Sequence, residues 1–289
     1  MRWEDERLSG NVLDNRGASF GGGGGGLLLG GGGLGTVVLI GLALLFGVDP
    51  RLLLQGGGVE DPAAQSAPAG LQTNDEDARF ASVVLAFTED TWSEVFAEQG
   101  ARYQPPTLVL YEEGHPTSCG FGQSAMGPFY CPADQRIYID LDFFHELSGR
   151  FGAPGRFAEA YVIAHEVGHH IQNLTGVSEQ AQREQQRVGG VEGNRISVRV
   201  ELQADCYAGV WAARTEQREQ FLDPGDVEQG LAAASAVGDD ALQSKAQGRV
   251  VPDAFTHGSS EQRMRWFRKG LDTGDVNACD TFQGDYSRL

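Results

Sequence analysis

Residues 160–176 read AYVIAHEVGHHIQNLTG, and the reading of this stretch decides the rest. Tyr161, Val162, Val167 and Ile171 are apolar at helical spacing and Gly176 closes the run, which predicts a helix over Phe157–Thr175. His165 and His169 stand one turn apart on that helix, so both imidazoles reach a single ion from one face. Glu166 lies about 100° around the helix from His165, beside such an ion and not on it. The run His165-Glu166-Val167-Gly168-His169 is therefore an H-E-x-x-H arrangement, with two histidines on zinc and a glutamate placed as general base. The bland alternative is an ordinary helix carrying a polar stripe.

A hydrolytic zinc site takes three protein ligands and keeps a fourth place open. The next predicted helix, Ile196–Gln220, carries Glu201-Leu202-Gln203-Ala204-Asp205. Glu201 and Asp205 share a face, and Val198, Val200, Leu202, Ala204, Tyr207 and Val210 surround them. Carboxylates in so apolar a stretch are costly unless paired or metal-bound. Glu201 is the expected third ligand, and Asp205 the acceptor for the free N–H of a ligand histidine. A solvated face, or ion pairs to Arg195 or Arg199, is the competing reading. His115, His145 and His170 lack ligand spacing to one another; His115 reads as a loop residue, His145 as a helix-start residue, and His170 as a packing residue or a substrate contact.

Outward from these helices, residues 79–289 form one globular unit. Phe80, Val84, Phe87, Trp92, Val95 and Phe96 recur at helical spacing over Arg79–Gln99. Thr107–Tyr111 and Arg136–Leu141 are short, apolar and β-branched, hence strands, and CGFGQSAMGPFYC between them is a hairpin or loop. Asp226–Val237 is a further helix, and Ser259 with Gln262 makes a capping box that opens a last helix stopping at Gly270. The expected class is α+β, mainly helical with a small sheet.

The N-terminal part reads differently. Residues 1–20 show no sustained periodicity and are expected to be a mobile tail. Residues 21–48 contain no charge, and Leu27–Val48 spans 22 residues, about 33 Å as a helix, long enough for a ~30 Å hydrocarbon core. A Gly-rich transmembrane segment is the first reading; a cleaved signal peptide or a glycine-rich linker beside a buried helix are the others. Arg2, Arg7 and Arg16 precede the segment and only Arg51 follows closely, which favours a cytoplasmic N-terminus and an extracytoplasmic domain, single-pass in the cell membrane. Residues 49–78, rich in Gly, Pro, Ser and acids, are the expected linker. The net charge is −18 and no Lys/Arg-rich run occurs, which argues against a nucleic-acid partner.

Four cysteines allow two bridges in an oxidising compartment. Cys119 with Cys131 would brace a loop near the site, and Cys206 with Cys279 would tie the Glu201 helix to the C-terminus. Four buried thiols in a cytosolic domain is the alternative.

GPFYCPADQRIYIDLDFF, HEVGHHIQNLTG, ELQADCYAGVWA and AFTHGSSEQRMRWFRKG together resemble the bacterial family of neutral zinc metallopeptidases (YpfJ-like). The similarity runs from about residue 79 to the C-terminus, with the Gly-rich N-terminal span beside it. It implies a zincin-like, membrane-anchored zinc peptidase acting on peptide or protein substrates. His165, His169 and Glu201 would then hold Zn2+, Glu166 would be the base, and Asp205 would support a ligand. His257, in Phe255-Thr256-His257-Gly258, resembles a downstream histidine of membrane-associated zinc peptidases that steadies an oxyanion, although those usually carry Pro after the His. Arg263 and Arg265 are candidates for binding a substrate carbonyl or carboxylate, against a reading as solvated or structural pairs. Peptidases of this class lay an extended substrate along a sheet edge, here Arg136–Leu141 or Gly127–Cys131. A zinc hydrolase of a non-protein amide such as cell-wall peptide, and a zinc-stabilised binding module that cleaves nothing, are the other readings.

Overall fold

The computed structural model describes residues 1–17, 71 and 74–289. The apolar stretch at 21–48 and most of the expected linker lie outside the described residues. Among the described residues, no helix is long and apolar enough to cross a membrane.

A four-stranded sheet is ordered β1-β2-β6-β5, with β1 at Val12–Asp14, β2 at Thr107–Tyr111, β5 at Phe129–Cys131 and β6 at Arg136–Asp140. β1, β2 and β6 run parallel, and β5 runs antiparallel to β6. Pairing of Leu108 with Ile137 and of Leu110 with Ile139 sends these four side chains into the main core. Val109, Tyr111 and Tyr138 alternate onto the opposite face, where Met126, Phe129 and Cys131 cover them. Both faces are buried, which is why the strands read as continuous apolar runs. The segment between β2 and β5 forms a separate hairpin, β3 Gly114–Thr117 with β4 Gly120–Gln123.

Helices build the rest: α1 Glu76–Glu98, α2 Asp142–Gly149, α3 Arg156–Leu174, α4 Val177–Val188, α5 Gly190–Glu219, α6 Asp226–Ala236, α7 Asp239–Gln247 and α8 Ser260–Thr273. Asp75 caps α1 by accepting from the backbone N–H groups of Asp77 and Ala78. The Ser259–Gln262 capping box opens α8 as expected, but the helix continues past Gly270 and ends at Gly274, whose φ of 61° makes the left-handed cap. Gly270 lies on the face of α8 that meets α5, so it marks a close approach and not a stop. α3 is packed between α5 and α6 and carries the H-E-x-x-H run through the middle of the core. α4 and α7 were not legible in the sequence; α4 has one buried residue, Ala181, and α7 is nine residues long.

Of the stretch 1–20 expected to be a mobile tail, residues 1–17 are described, and they are docked on the domain. Trp3 is buried edge-on against Phe80, 5.2 Å between ring centroids, with Arg79 and Arg156 over its ring. Val12, Leu13 and Asp14 pair with Leu108, Val109 and Leu110. The segment lacks periodicity because single anchoring contacts hold it, not a repeated face. Both disulfides form with the expected pairing: Cys119–Cys131 joins the β3–β4 hairpin to β5, and Cys206–Cys279 ties α5 to the C-terminal segment.

Candidate metal centre

α3 supplies His165 and His169, and α5 crosses it to bring Glu201 against both. The crossing is close because Gly168 faces Ala204: a Cβ at 168 would lie 3.0 Å from the Ala204 Cα and carbonyl oxygen. The three donor side chains converge. His165 Nε2 is 3.1 Å from His169 Nε2 and 3.3 Å from Glu201 Oε2, and His169 Nε2 is 3.5 Å from Glu201 Oε1. Tetrahedral zinc with ligand bonds of 2.0–2.1 Å requires donor separations of about 3.3 Å. The triangle fits that ion, and it is a His/His/Glu donor set able to hold a metal.

The outer nitrogens of both histidines are held. His165 Nδ1 lies 2.8 Å from Asp205 Oδ1, and His169 Nδ1 lies 2.9 Å from Gln172 Oε1. Both acceptors place the ring proton on Nδ1 and turn the Nε2 lone pair inward, as a metal ligand needs. Burial disfavours a charge on His165, but Asp205 and Glu201 outweigh it and raise the group to about 9. The same field favours a cation at this point. Glu201 is driven the other way: burial opposes its ionisation, yet the neighbouring histidines hold it well below the usual carboxylate range.

Asp205 is the hub beneath the ligands and is fully buried. It accepts from the Tyr161 hydroxyl at 2.5 Å, and from Nε and Nη2 of Arg263, each at 2.9 Å. Arg263 also donates to Tyr161 Oη and to the Val237 carbonyl. Arg263 therefore borders the cleft, but its guanidinium is committed to Asp205, so the expected substrate contact gives way to a positioning one. Arg265 is placed elsewhere. It pairs with Glu261 and donates to the carbonyl oxygen of Leu289, on the far side of α8 from the metal cluster, because two positions along a helix turn a side chain by about 200°.

Glu166 and His257 share one cleft with His165, His169 and Glu201. Glu166 is buried, and burial pushes its carboxyl up to about 7, although His165 and the Tyr130 backbone amide favour the charged form. His257 Nδ1 stands 3.1 Å from Asp239 Oδ1. The other oxygen of Asp239 accepts the backbone N–H groups of Thr256, His257 and Gly258 at 2.6–3.0 Å. The loop is thereby fixed with His257 on the cleft wall. Gly258 has φ of 92°, a conformation closed to proline, which accounts for the departure from the His-Pro pattern.

β6 is interior to the sheet and β5 is an edge strand, so of the two expected edges only the 127–131 segment is open. It runs beside α3, where His170 and Asn173 both bond Tyr130 Oη at 3.0 Å. His170 also bonds the Gln104 carbonyl and is fully buried, which favours packing over the substrate contact that the sequence left open. Sequence reasoning missed Tyr161, Gln172 and Asp239. Tyr161 and Gln172 lie four and three residues from the histidines they serve, a helical spacing that could have signalled them; Asp239 carries no such signal.

The family described as "Putative neutral zinc metallopeptidase" matches residues 1–282. The chain belongs to this family. It is 50% identical over 286 residues to the uncharacterized protein YpfJ of Escherichia coli strain K12, covering 98% of this chain and 99% of that one. Uncharacterized proteins of Mycobacterium bovis and of Mycobacterium tuberculosis strain H37Rv are 42% identical over 254 residues, covering 83% of this chain and 85% of theirs. No solved structure matches the chain. The membership points to zinc as the metal, and among the described residues the His/His/Glu set is a donor group that could hold it.

Proposed function

We propose that this protein is a zinc-dependent peptidase whose metal is held by His165, His169 and Glu201, with Glu166 as general base. The observation that carries the reading is a buried glutamate in the same cleft as a donor triangle of zinc dimensions. A purely structural zinc site has no use for a base there. Zinc bound by these side chains would activate a water near neutral pH and polarise a carbonyl.

The chain's own groups do the remainder. Glu166, raised to about 7 by burial, can take up a proton and return it to a leaving amine, which is the range a base needs at neutral pH. His257 is braced by Asp239, and burial of its charge is more than offset by Asp239, so its pKa is raised; it can donate to an oxygen gaining negative charge in the cleft. The open edge of β5 offers main-chain hydrogen bonds to an extended peptide. Phe129, Phe143, Phe151, Val162 and Leu242 line the cleft, exclude water and receive an apolar side chain. All four cysteines are bridged, which supports a domain working in an oxidising compartment.

The test is Glu166→Gln in the full chain, assayed on a mixed peptide library with zinc content measured in parallel. Zinc retained with cleavage reduced by at least roughly 10²-fold is the expected result for loss of a general base. Full cleavage by the variant would remove Glu166 from the mechanism. Zinc without cleavage in the parent would move the reading to a non-peptide amide or to a binding module.

A further inference from the structure

Residues 1–17 and the domain that begins at Asp75 are joined by contacts that no bilayer can interrupt. β1 and β2 form a parallel ladder, extended by Leu108 N–H to the Asn11 carbonyl at 2.9 Å and Asn15 N–H to the Leu110 carbonyl at 2.9 Å. Arg2 N–H donates to the Phe221 carbonyl at 2.8 Å, and Trp3 is buried on Phe80. Ser9 and Asn11 both bond Glu89, and Arg7 pairs with Glu89 and Asp90 of α1. At the end of the segment Arg16 bridges Asp14 and Asp75, and the Gly17 N–H donates to Glu112. The chain thus leaves the domain and returns to it at one point, Arg16 beside Asp75.

A ladder of this kind needs strands about 4.8 Å apart, whereas a bilayer separates its two faces by a ~30 Å hydrocarbon layer. One crossing between residues 17 and 75 would place the two halves of the ladder on opposite sides. Two crossings would restore contact, but each takes about 20 apolar residues. The charge-free stretch ends at Val48, and residues 49–74 carry Asp49, Arg51, Glu60 and Asp61 with three prolines, Pro50, Pro62 and Pro68, so sequence for a second crossing is absent. The single-pass topology expected from the hydropathy and the docked N-terminal segment therefore exclude each other.

We infer that residues 1–17 are an integral part of the catalytic domain and lie on its side of the membrane, so that the apolar stretch does not act as a single-pass anchor between them. The inference is independent of the zinc chemistry.

The structure also supplies the means of testing it. All four cysteines are consumed in disulfides, so one added cysteine is a clean reporter in the full chain. Glu6→Cys and Gln283→Cys place reporters at exposed positions in the N-terminal segment and in the C-terminal region. Each is treated with a membrane-impermeant maleimide in intact spheroplasts, with detergent-lysed cells as the full-label reference. The two reporters are expected to behave alike, both labelled in intact cells or both labelled only on lysis. Labelling of one in intact cells, with loss of labelling at the other until lysis, would overturn the inference and restore the single-pass anchor.

Discussion

Replacing Asp205 by Ala separates the two tasks this carboxylate performs. It holds His165 Nδ1, and it neutralises Arg263, which is 3% exposed and bonded to it through Nε and Nη2. Removing one partner of a buried pair typically costs about 3–5 kcal/mol, because the other charge is left uncompensated. At about 2–4 °C per kcal/mol for a domain of this size, the melting temperature should fall by roughly 6–20 °C. Losing the acceptor behind a ligand histidine should separately weaken zinc by about 10–100-fold. The double variant Asp205→Ala/Arg263→Leu removes the orphaned charge. It should recover much of the stability but none of the metal affinity, since His165 remains unbraced. Thermal melts with and without chelator, and zinc competition against a chromophoric chelator, read the two quantities independently. Unchanged zinc affinity in Asp205→Ala would refute the bracing argument. Full recovery of zinc affinity in the double variant would show that Asp205 matters only by neutralising Arg263.

Gly168→Val should cost about 1–3 kcal/mol by overpacking against Ala204 and should lower zinc affinity, because the two helices that carry the ligands are pushed apart; chemical denaturation and metal titration check both. Asp239 has its pKa held below the ordinary value: burial opposes ionisation, but His257 and the backbone N–H groups of the loop outweigh it. A depressed carboxylate contributes stability that is complete above its unfolded pKa of ~3.9 and is lost as pH falls through the folded value. The melting-temperature gap between the parent and Asp239→Asn should accordingly be full at pH 6 and close below about pH 4; a gap independent of pH would contradict the assignment. The bridges close sequence separations of 73 and 12 residues, so loop entropy alone predicts losses of about 4 kcal/mol for Cys206→Ser/Cys279→Ser and about 3 kcal/mol for Cys119→Ser/Cys131→Ser. Comparison of the two double variants by denaturation tests that order.

The candidate ligands were legible because each pair that matters sits within one helix. His165 and His169 are four apart, as are Glu201 and Asp205, and helical periodicity alone puts each pair on a face. What was not legible depends on contacts across long separations. Asp239 reaches His257 over 18 residues and Arg263 reaches Asp205 over 58, and nothing in local pattern selects those partners. Arg263 and Arg265 illustrate the limit, since the two arginines look equivalent in sequence. Only the rotation of α8 sends Arg263 inward to Asp205 and leaves Arg265 with Glu261 and the C-terminus. The sheet edge shows the same dependence: Phe129–Cys131 and Arg136–Asp140 are equally good strands, and the parallel pairing of β2 with β6 decides which of them stays open.

That dependence explains why the site resides in the core and not in a surface loop. Three buried charged groups, Glu201, Asp205 and Arg263, would each be prohibitive alone. Arranged in series they compensate one another. Arg263 stabilises the Asp205 carboxylate, holding it at about 2 against the cost of burial, and Asp205 in turn orients His165. Glu201 then faces the Nε2 atoms of His165 and His169, with His257 and Arg263 adding favourable charge from farther off. A metal dication completes this balance, and a proton on His165 satisfies it only in part. Zinc binding and folding stability should therefore be coupled, with the parent gaining stability as free zinc rises above its dissociation constant. Glu201→Gln removes the charge but keeps the shape, so it should abolish that zinc-dependent gain, while the chelated variant melts only modestly below the chelated parent through loss of the attraction between the carboxylate and the histidines. A chelated Glu201→Gln protein that unfolded far below the chelated parent would mean that Glu201 serves the fold before it serves the metal.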